Sequence, residues 1–358
     1  MCPETIPSTR RTLNNAPILD AVSGTTPTRT PVWFMRQAGR SLPEYLKLRE
    51  GISMLDSCFQ PELLAEITLQ PVRRHDVDAA ILFSDIVVPL RAAGVEVEIV
   101  PGRGPVLAHP IRTRADVDAL PILDHDVPEV AAGIAIILEE LNDQQALIGF
   151  AGAPFTLASY LVEGGPSKNH ERTKAMMHGD PATWHALMER LVPTVVNFLE
   201  VQIDAGIDAM QLFDSWAGFL TARDYERYVL PHSTEIFSRI ERHRIPRIHF
   251  GVGTGELLGS MSRAGSEVMG VDWRVPLDTA ARRISAASGP RVLQGNLDPA
   301  MLFAGTAALS EEIARIKAEA DAAIAAGDAR GHIFNLGHGV LPNTNAEDIT
   351  EAVRIIHS

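Results

Sequence analysis

Cysteine and lysine are scarce in this sequence of 358 residues. Its two cysteines are Cys2 and Cys58, and the first lies at the extreme N-terminus. Such a pair argues against a structural disulfide and is typical of free thiols in a cytosolic protein. Only four of the 32 basic residues are lysines, so the other 28 are arginines.

A surplus of positive charge is also missing. The formal net charge of −13 argues against nucleic acid or an anionic membrane as a partner. No apolar run approaches the roughly 20 residues of a membrane span, and the N-terminal segment lacks the apolar core of a secretory signal. We interpret the first ten residues as a disordered polar arm of a cytoplasmic protein. Any anionic ligand must be held by a local cluster of arginines, against the field of the rest of the chain.

Metal-site motifs are absent as well. The sequence contains no CxxC and no HExxH, and no cysteine follows Cys58. Because zinc needs three or four convergent ligands, the 12 histidines alone do not predict a metal site. The glycines of GVGTGE, Gly251, Gly253 and Gly255, are spaced GxGxG rather than the GxGxxG of dinucleotide sites. We interpret them as a tight turn.

Short apolar runs that end on small, polar or turn residues recur along the chain. They are too short for buried helices, and their nearly continuous apolar character is typical of strands covered on both faces. The eight runs are PVWFMR (31–36), AAILFSD (79–85), ALIGFAG (146–152), DAMQLFDS (208–215), PRIHFG (246–251), SEVMGVD (266–272), PRVLQGN (290–296) and GHIFNLG (331–337).

Helical stretches, with apolar residues three and four apart, lie between these runs. Examples are 61–75, 130–141, 185–203, 224–242 and 309–327. Alternating strands and helices predict an α/β fold with a parallel sheet, and eight such units predict a (β/α)8 TIM barrel. A doubly wound open sheet is the alternative. Because no boundary linker is evident, we predict a single domain over residues 1–358, with an N-terminal arm.

A barrel of this kind predicts where functional residues lie, because its active site forms at the carboxyl ends of the strands. Residues directly after each run should then converge, although loops after strands are polar in any case. The set comprises Arg36, Arg40, Ser84, Asp85, 152–160, Asp214, Ser215, 251–255, Asp272, Asn296, Asp298 and His338.

Arg36 and Arg40 stand four residues apart in FMRQAGRSLPEY, with no acidic residue between them. They would share one face of a helix, and they would remain neighbours in a glycine-containing loop. Like charges this close repel each other unless an anion lies between them. Two solvated surface arginines are the alternative. Since guanidinium groups suit bidentate binding, we favour a site for a carboxylate or phosphate.

Asp85 ends an apolar run and is followed by the apolar residues IVVP. A carboxylate there is partly buried, and it must be paired or accept several hydrogen bonds to stay ionised. It is either a cap of the next element or an acceptor aimed into the barrel mouth.

In GFAGAPFTLASYLVEGG, small residues before Pro154 leave room for a bulky ligand. Tyr160 lies one to two turns further on, as a ligand contact or an ordinary helix tyrosine.

The sequence contains the segments FMRQAGRSLPEY, ILFSDIVVP, GFAGAPFTLASYLVEGG, LFDSWAG, QGNLDP and FNLGHGVLPNT. Together they resemble the uroporphyrinogen decarboxylase family, in the right order from about residue 12 to the C-terminus. The first and third segments are specific to this family rather than to its wider clan. One departure is Ser41, where the family commonly has tyrosine, but both arginines and the following LPEY are retained.

The resemblance implies a single (β/α)8 barrel, a homodimer and a cytoplasmic enzyme that needs no cofactor. The implied reaction removes the carboxyl groups of the four acetate side chains of uroporphyrinogen III, giving coproporphyrinogen III in haem and chlorophyll synthesis. Arg36, Arg40 and Asp85 are the implied catalytic residues. The implied substrate-binding residues are Arg36, Gln37, Ala38, Arg40, Asp85, Tyr160, Ser215 and His338.

Physical arguments agree with this resemblance. A substrate with eight carboxylates explains why an acidic protein keeps a bare pair of arginines. A protonated pyrrole can accept the electrons released with CO₂, and an anionic Asp85 facing the pyrrole N–H groups would stabilise that cation. Two rivals remain. A zinc-dependent methyltransferase on the same barrel needs a late His/Cys ligand set, and a non-catalytic tetrapyrrole carrier needs no such aspartate.

Overall fold

The structure is a computed structural model that describes residues 11–358. The predicted disorder of the first ten residues lies outside the described residues, and so does Cys2. Cys58 is buried and carries a free thiol. None of the helices in the described part of the chain is long and apolar enough to cross a membrane.

The β-structure of residues 11–358 consists of one parallel sheet and one antiparallel pair. The strands are β1 (Ala79–Ile81), β2 (Val97–Val100), β3 (Gly104–Leu107), β4 (Ala146–Gly152), β5 (Ala209–Asp214), β6 (Arg247–Gly251), β7 (Val268–Gly270), β8 (Arg291–Gln294) and β9 (Ala329–Ile333). Seven of them form the parallel sheet in the order β1-β4-β5-β6-β7-β8-β9, and β2 pairs with β3. Seven of the eight predicted strands are thereby confirmed.

Helices connect these strands. They are α1 (Pro17–Ser23), α2 (Pro43–Leu48), α3 (Met54–Ser57), α4 (Pro61–His75), α5 (Val88–Ala92), α6 (Arg114–Ala119), α7 (Pro128–Glu140), α8 (Pro154–Glu163), α9 (Glu171–Gly179), α10 (Pro181–Ala205), α11 (Ala222–Tyr228), α12 (Leu230–Ile240), α13 (Leu258–Ser262), α14 (Leu277–Ser288), α15 (Thr306–Ala325) and α16 (Ala346–His357). Four of the five predicted helical ranges coincide with or overlap α4, α7, α10 and α15.

The fifth predicted helix, over 224–242, is wrong as a single element. It is divided into α11 and α12 at Val229, whose φ of −126° and ψ of −50° leave the helical path. Pro231 explains the break, because proline donates no main-chain hydrogen bond and its ring clashes with the carbonyl of the residue four positions earlier.

Proline begins many of the helices. Pro61 and Pro154 occupy the first positions of α4 and α8, where the missing N–H would have no helical partner and φ is already set. Gly164 ends α8 in the left-handed conformation, which a residue without Cβ adopts freely. Because α8 begins directly after β4, its first turn lies at the carboxyl edge of the sheet.

The first apolar run, 31–36, forms an isolated bridge rather than a ladder strand. Val32 is bridged to Phe334, and the N–H of Phe334 donates to the carbonyl of Pro31. On the other side, the N–H of Val32 donates to the Asp78 carboxylate, and the N–H of Asp78 donates to the carbonyl of Val32. Pro31 has no N–H for a ladder. The first of the eight predicted strands, 31–36, is therefore a hydrogen-bonded segment between β1 and β9.

Side chains alternate across the parallel sheet. One face packs against the helices, and the other forms an inner apolar cluster with residues from all seven strands. In β4, for example, Ile148 belongs to the inner cluster and Leu147 to the outer one, as the two-residue period of a strand requires. Trp33 and Met35 of the first segment also belong to the inner cluster. The sheet is therefore curled around its own apolar side.

A short chain of buried polar side chains crosses the inner cluster. The indole N–H of Trp33 donates to Oε1 of Gln294 at 3.2 Å, and Nε2 of Gln294 donates to Oε1 of Gln211 at 2.8 Å. Buried polar groups are costly unless they are hydrogen-bonded, so these contacts fix relative positions. They tie the first segment to β8 and β5.

Candidate active site

Arg36 and Arg40 lie in the loop between the first segment and α2, which begins at Pro43. Both adopt the left-handed conformation, with φ of 62° and 51°. This conformation costs a non-glycine residue roughly 1–2 kcal/mol. Of the two predicted arrangements the loop is the correct one, and a strained backbone of this kind is typical of functional sites.

The two arginines are not neutralised by the protein. No carboxylate within residues 11–358 forms an ion pair with Arg36 or Arg40. Burial, and after it the charge of Arg36, lowers the pKa of Arg40 to about 10, so Arg40 remains cationic at neutral pH. Two cations that lie side by side without an ion-pair partner have the chemistry to bind an anion.

Gln37 is turned into the protein and is only 2 % exposed. Its Oε1 accepts the N–H of Phe34 and its Nε2 donates to the carbonyl of Ala79, both at 2.8 Å. Ala38 packs against both apolar clusters. The side chain of Gln37 therefore ties the arginine loop to β1. Substrate contact by Gln37 and Ala38 stays a prediction.

Asp85 lies shortly after β1 and is half-buried. Its Oδ1 accepts the N–H of Val87 at 3.1 Å, so one oxygen stabilises the turn that follows. The other oxygen has no donor among the described residues. Burial raises the pKa of Asp85, while the Val87 N–H and the charge of Arg36 act in the opposite direction. One oxygen stabilises the fold, and the other can accept a further hydrogen bond.

Tyr160, on α8, is a buried neutral phenol. Burial, and after it the charge of Asp85, raises the pKa of Tyr160 to about 12. The side chain of Trp216 hydrogen-bonds to the phenol, and the two rings meet edge-on with their centroids 5.9 Å apart. A phenol that keeps its proton can act as a hydrogen-bond donor beside Asp85.

Ser215 directly follows β5, and a buried network fixes its loop. The Thr156 hydroxyl donates to Oδ1 of Asp214 at 3.0 Å and accepts the N–H of Trp216 at 3.3 Å. Thr156 lies one helical turn before Tyr160 on α8. The network therefore couples the loop that carries Ser215 to the helix that carries Tyr160.

His338 lies in the turn after β9 and is half-buried. Its Nδ1 accepts the N–H of Gly339 at 2.7 Å, which puts the proton of the neutral ring on Nε2. Burial, followed by the charges of Arg36 and Arg40, lowers the pKa of His338. A Cβ at position 339 would overlap the side chain of Arg36, so a glycine is required for Arg36 to lie against this turn.

Trp273 and Arg274, in the loop after β7, were not predicted. The Arg274 guanidinium lies 3.9 Å above the ring centroid of Trp273, and its Nη1 donates to Oδ2 of Asp272 at 2.7 Å. The rings of Trp273 and His338 meet edge-on with their centroids 6.2 Å apart. Asp272 at the end of an apolar run was the only sequence signal for this loop.

Asp272 joins three of the predicted loops. Its carboxylate accepts the N–H of Gly253, and its carbonyl accepts Nδ2 of Asn296 at 2.9 Å. Gly253 has a φ of 70°, which agrees with the predicted tight turn. The loops after β6, β7 and β8 are therefore held together at this edge of the sheet.

The predicted residues gather at the carboxyl edge. Asp85, Ser215 and His338 follow the carboxyl ends of the parallel strands β1, β5 and β9, which meet at one edge of a curled sheet. The charge of Arg36 acts on the titration of Asp85, Tyr160 and His338, so all three lie near Arg36. Within residues 11–358, no group of three or more His, Cys, Asp or Glu side chains could hold a metal ion.

Comparison with known proteins identifies the family of the chain. A family model described as uroporphyrinogen decarboxylase matches residues 13–358. The chain belongs to the uroporphyrinogen decarboxylase family. A uroporphyrinogen decarboxylase from Corynebacterium efficiens is 81 % identical over 100 % of both chains. The one from Corynebacterium diphtheriae is 74 % identical over 96 % of this chain and 98 % of its own, and the one from Rhodococcus jostii is 63 % identical over 98 % and 97 %.

The fold extends beyond this family. A solved structure described as a methyltransferase from Methanosarcina mazei matches with a TM-score of 0.77, over 97 % of this chain and 98 % of that chain. The identity is 18 %, so the likeness shows a common fold alone.

Proposed function

We propose that the protein decarboxylates uroporphyrinogen III, removing the carboxyl groups of its four acetate side chains to give coproporphyrinogen III in tetrapyrrole biosynthesis. The observation that carries the proposal is the pair Arg36 and Arg40, which has no carboxylate partner in residues 11–358 and lies next to the half-buried Asp85. Membership of the uroporphyrinogen decarboxylase family supports the same reaction. The protein is then a carboxy-lyase.

Binding depends on local cations. A chain with a net charge of −13 repels an octa-anion at long range, so affinity must come from charges inside the site. Arg36 and Arg40 bind carboxylates of the substrate, and each charge-assisted hydrogen bond contributes roughly 1.5–3 kcal/mol.

Neutral groups orient the macrocycle. Tyr160, Ser215 and His338 contact its side chains or ring, with the phenol and the imidazole Nε2–H as donors. Gln37 and Ala38 complete the wall of the arginine loop. Arg36 and Arg40 are charged, whereas the rings of Tyr160 and His338 are neutral. The acidic side chains of the substrate therefore bind at the arginines, and its less polar parts bind at the two rings.

The substrate supplies its own electron sink. A proton adds to a pyrrole carbon next to an acetate arm, which gives an iminium-like cation. The bond between the methylene carbon and the carboxylate then breaks, CO₂ leaves, and the electron pair moves into the ring. The methylene carbon takes up a proton to become a methyl group, and the ring carbon loses the proton that it gained. The net change for each arm is replacement of CO₂ by a proton, so no separate redox partner is needed.

Asp85 stabilises the cationic intermediate. Its carboxylate faces the pyrrole N–H groups and accepts their hydrogen bonds, with the free oxygen available for this purpose. Burial raises the pKa of Asp85 in the free protein, and donors that approach on binding act in the opposite direction. Substrate and ionised Asp85 therefore favour each other, and the placed charge lowers the barrier because it acts where positive charge develops.

We also propose how the barrel closes, how the chain assembles and where it acts. The segment 31–36 closes the curled sheet into a (β/α)8 barrel, supported by its hydrogen bonds to Asp78 and Phe334. Residues 1–358 act as a single domain, and two chains form a homodimer in the cytoplasm. The reaction uses no cofactor.

Incubation with chemically reduced uroporphyrinogen III tests the function. We expect products with seven, six, five and finally four carboxyl groups, and slower conversion at every step for Asp85→Asn. An octacarboxylate that binds without conversion would favour the carrier instead. A methylated product, together with stoichiometric zinc in the purified protein, would favour the methyltransferase.

A further inference from the structure

Arg274 is a preorganised cation at the rim of the site. Its guanidinium is stacked 3.9 Å above the ring centroid of Trp273, and its side chain is 52 % exposed. A stacked guanidinium loses less conformational freedom when it binds a ligand than a solvated side chain does. Arg274 therefore differs from an ordinary surface arginine.

The support beneath Arg274 is buried and rigid. Asp272 is 2 % exposed. Its Oδ1 accepts the main-chain N–H of Arg274 at 3.0 Å, and its Oδ2 accepts both Nη1 of Arg274 and the N–H of Gly253. Position 337 has no room for a Cβ because the main chain of Trp273 lies against it. The loop of Arg274 thus packs directly on the turn that carries His338.

The hydrogen bonds leave one edge of the guanidinium free. Asp272 engages Nη1, whereas Nε and Nη2 of Arg274 have no partner among the described residues. These two N–H groups form the parallel pair of donors that matches the two oxygens of a carboxylate. Trp273, on which the guanidinium is stacked, meets the ring of His338 edge-on, and the charge of Arg274 acts on the titration of His338, so the guanidinium lies near the site.

We propose that Arg274 binds a side-chain carboxylate of the macrocyclic substrate at the rim of the site, through its Nε and Nη2 edge. This inference rests on the proposed function, because it assigns a third carboxylate subsite to the same polycarboxylate. Arg36 and Arg40 can engage only part of a ligand with eight carboxylates. Arg274 is a binding residue whose contact is the same before and during the reaction, so it lowers KM and leaves kcat unchanged.

Steady-state kinetics of Arg274→Gln tests the subsite. We expect KM to rise about 10-fold and kcat to stay within about twofold, since one exposed charge-assisted contact is lost. The effect should shrink in high salt because the contact is partly exposed. Arg274→Lys keeps the charge but loses the paired donors of the guanidinium, so its KM should lie between those of wild type and Arg274→Gln. An unchanged KM in Arg274→Gln, or a fall in kcat alone, would overturn the inference.

A matched control and a binding assay separate this inference from the proposed function. Arg354→Gln removes an exposed arginine that pairs with Glu351 in the last turn of α16, and it should behave as wild type. Uroporphyrin III, the oxidised octacarboxylate, serves as a probe that cannot react. Its dissociation constant should rise about 10-fold for Arg274→Gln only. If wild type binds the probe through Arg274 but does not convert reduced uroporphyrinogen III, the subsite stands and the decarboxylase function fails. If wild type turns over and Arg274→Gln binds normally, only the subsite fails.

Discussion

The main-chain N–H of Gly339 donates to Nδ1 of His338 at 2.7 Å. This bond fixes the tautomer, because the remaining ring proton must then lie on Nε2. Burial, Arg36 and Arg40 lower the pKa of His338, so the ring stays neutral at neutral pH. His338 is therefore a neutral donor through one defined atom.

The tautomer predicts which of two amide substitutions of His338 keeps the higher kcat/KM. Glutamine can place an N–H near the position of Nε2, whereas asparagine reaches only the position of Nδ1. We expect His338→Gln to retain about 10-fold more kcat/KM than His338→Asn, the equivalent of one hydrogen bond to a charged group. Equal values for both variants, or a more active His338→Asn, would show that Nε2–H is not the contact.

Removal of either site arginine should affect catalysis more than stability. Arg36→Ala and Arg40→Ala each lose substrate-carboxylate contacts, and we expect kcat/KM to fall about 10- to 100-fold. The unfolding free energy should change by less than about 1 kcal/mol, because neither guanidinium has an ion-pair partner within residues 11–358. Kinetics at low salt and thermal unfolding measure the two effects, with Arg354→Ala as the control. Wild-type kcat/KM in either variant would remove that arginine from the list of substrate ligands.

The two oxygens of Asp85 allow its structural and catalytic roles to be separated. Asp85→Asn keeps an oxygen that can accept the Val87 N–H, but it removes the negative charge. We expect kcat to fall about 10²-fold or more, while stability changes little. Asp85→Ala should lose the same activity and, in addition, about 1 kcal/mol of stability with the turn contact. Intact turnover in Asp85→Asn would make Asp85 a purely structural residue.

We expect His75 to make the fold less stable in acid. Its Nδ1 contacts the Thr350 hydroxyl at 2.7 Å, between α4 and α16, and burial followed by the charge of Arg74 lowers the pKa of His75 from 6.5 to about 4. The unfolded chain then binds more protons than the folded protein between these values. The stability that His75 contributes is complete above pH 6.5 and is lost as the pH falls towards 4.

His75→Asn measures this contribution, because the amide can still contact Thr350 but does not titrate. Between pH 7 and pH 5 we expect the unfolding free energy of wild type to fall about 2 kcal/mol further than that of the variant. Denaturant titrations at the two pH values give both numbers. Parallel losses in the two proteins would mean that His75 is protonated in the folded state or that its site relaxes.

Much of the fold could be predicted from the sequence because buried parallel strands carry a strong apolar signal. The run 146–152 is a strand over its full length, and 61–75 is a helix over its full length. The run 31–36 is equally apolar but forms no ladder, because Pro31 lacks an N–H and the Asp78 side chain takes the place of a main-chain acceptor. Periodicity reports burial, and it does not report which group accepts a hydrogen bond.

The candidate site could be predicted in part for a similar reason. Asp85 and His338 are separated widely in sequence, and the strand-end rule alone brings them to one edge of the sheet. The burial of the Gln37 side chain could not be predicted. A polar residue in a loop gives no sign that its amide will hydrogen-bond to two main-chain groups inside the protein. The stacking of Arg274 on Trp273 depends on loop geometry, which residue spacing does not encode.

The ratio of CO₂ released to coproporphyrinogen III formed tests the central claim most directly. The measurement uses the full chain after treatment with a metal chelator, reduced uroporphyrinogen III as the substrate, and Asp85→Asn as the comparison. The account predicts four equivalents of CO₂ for each coproporphyrinogen III from the wild-type protein, at a rate about 10²-fold or more above that of the variant. Substrate that stays bound with all eight carboxyl groups and no CO₂ release would contradict it.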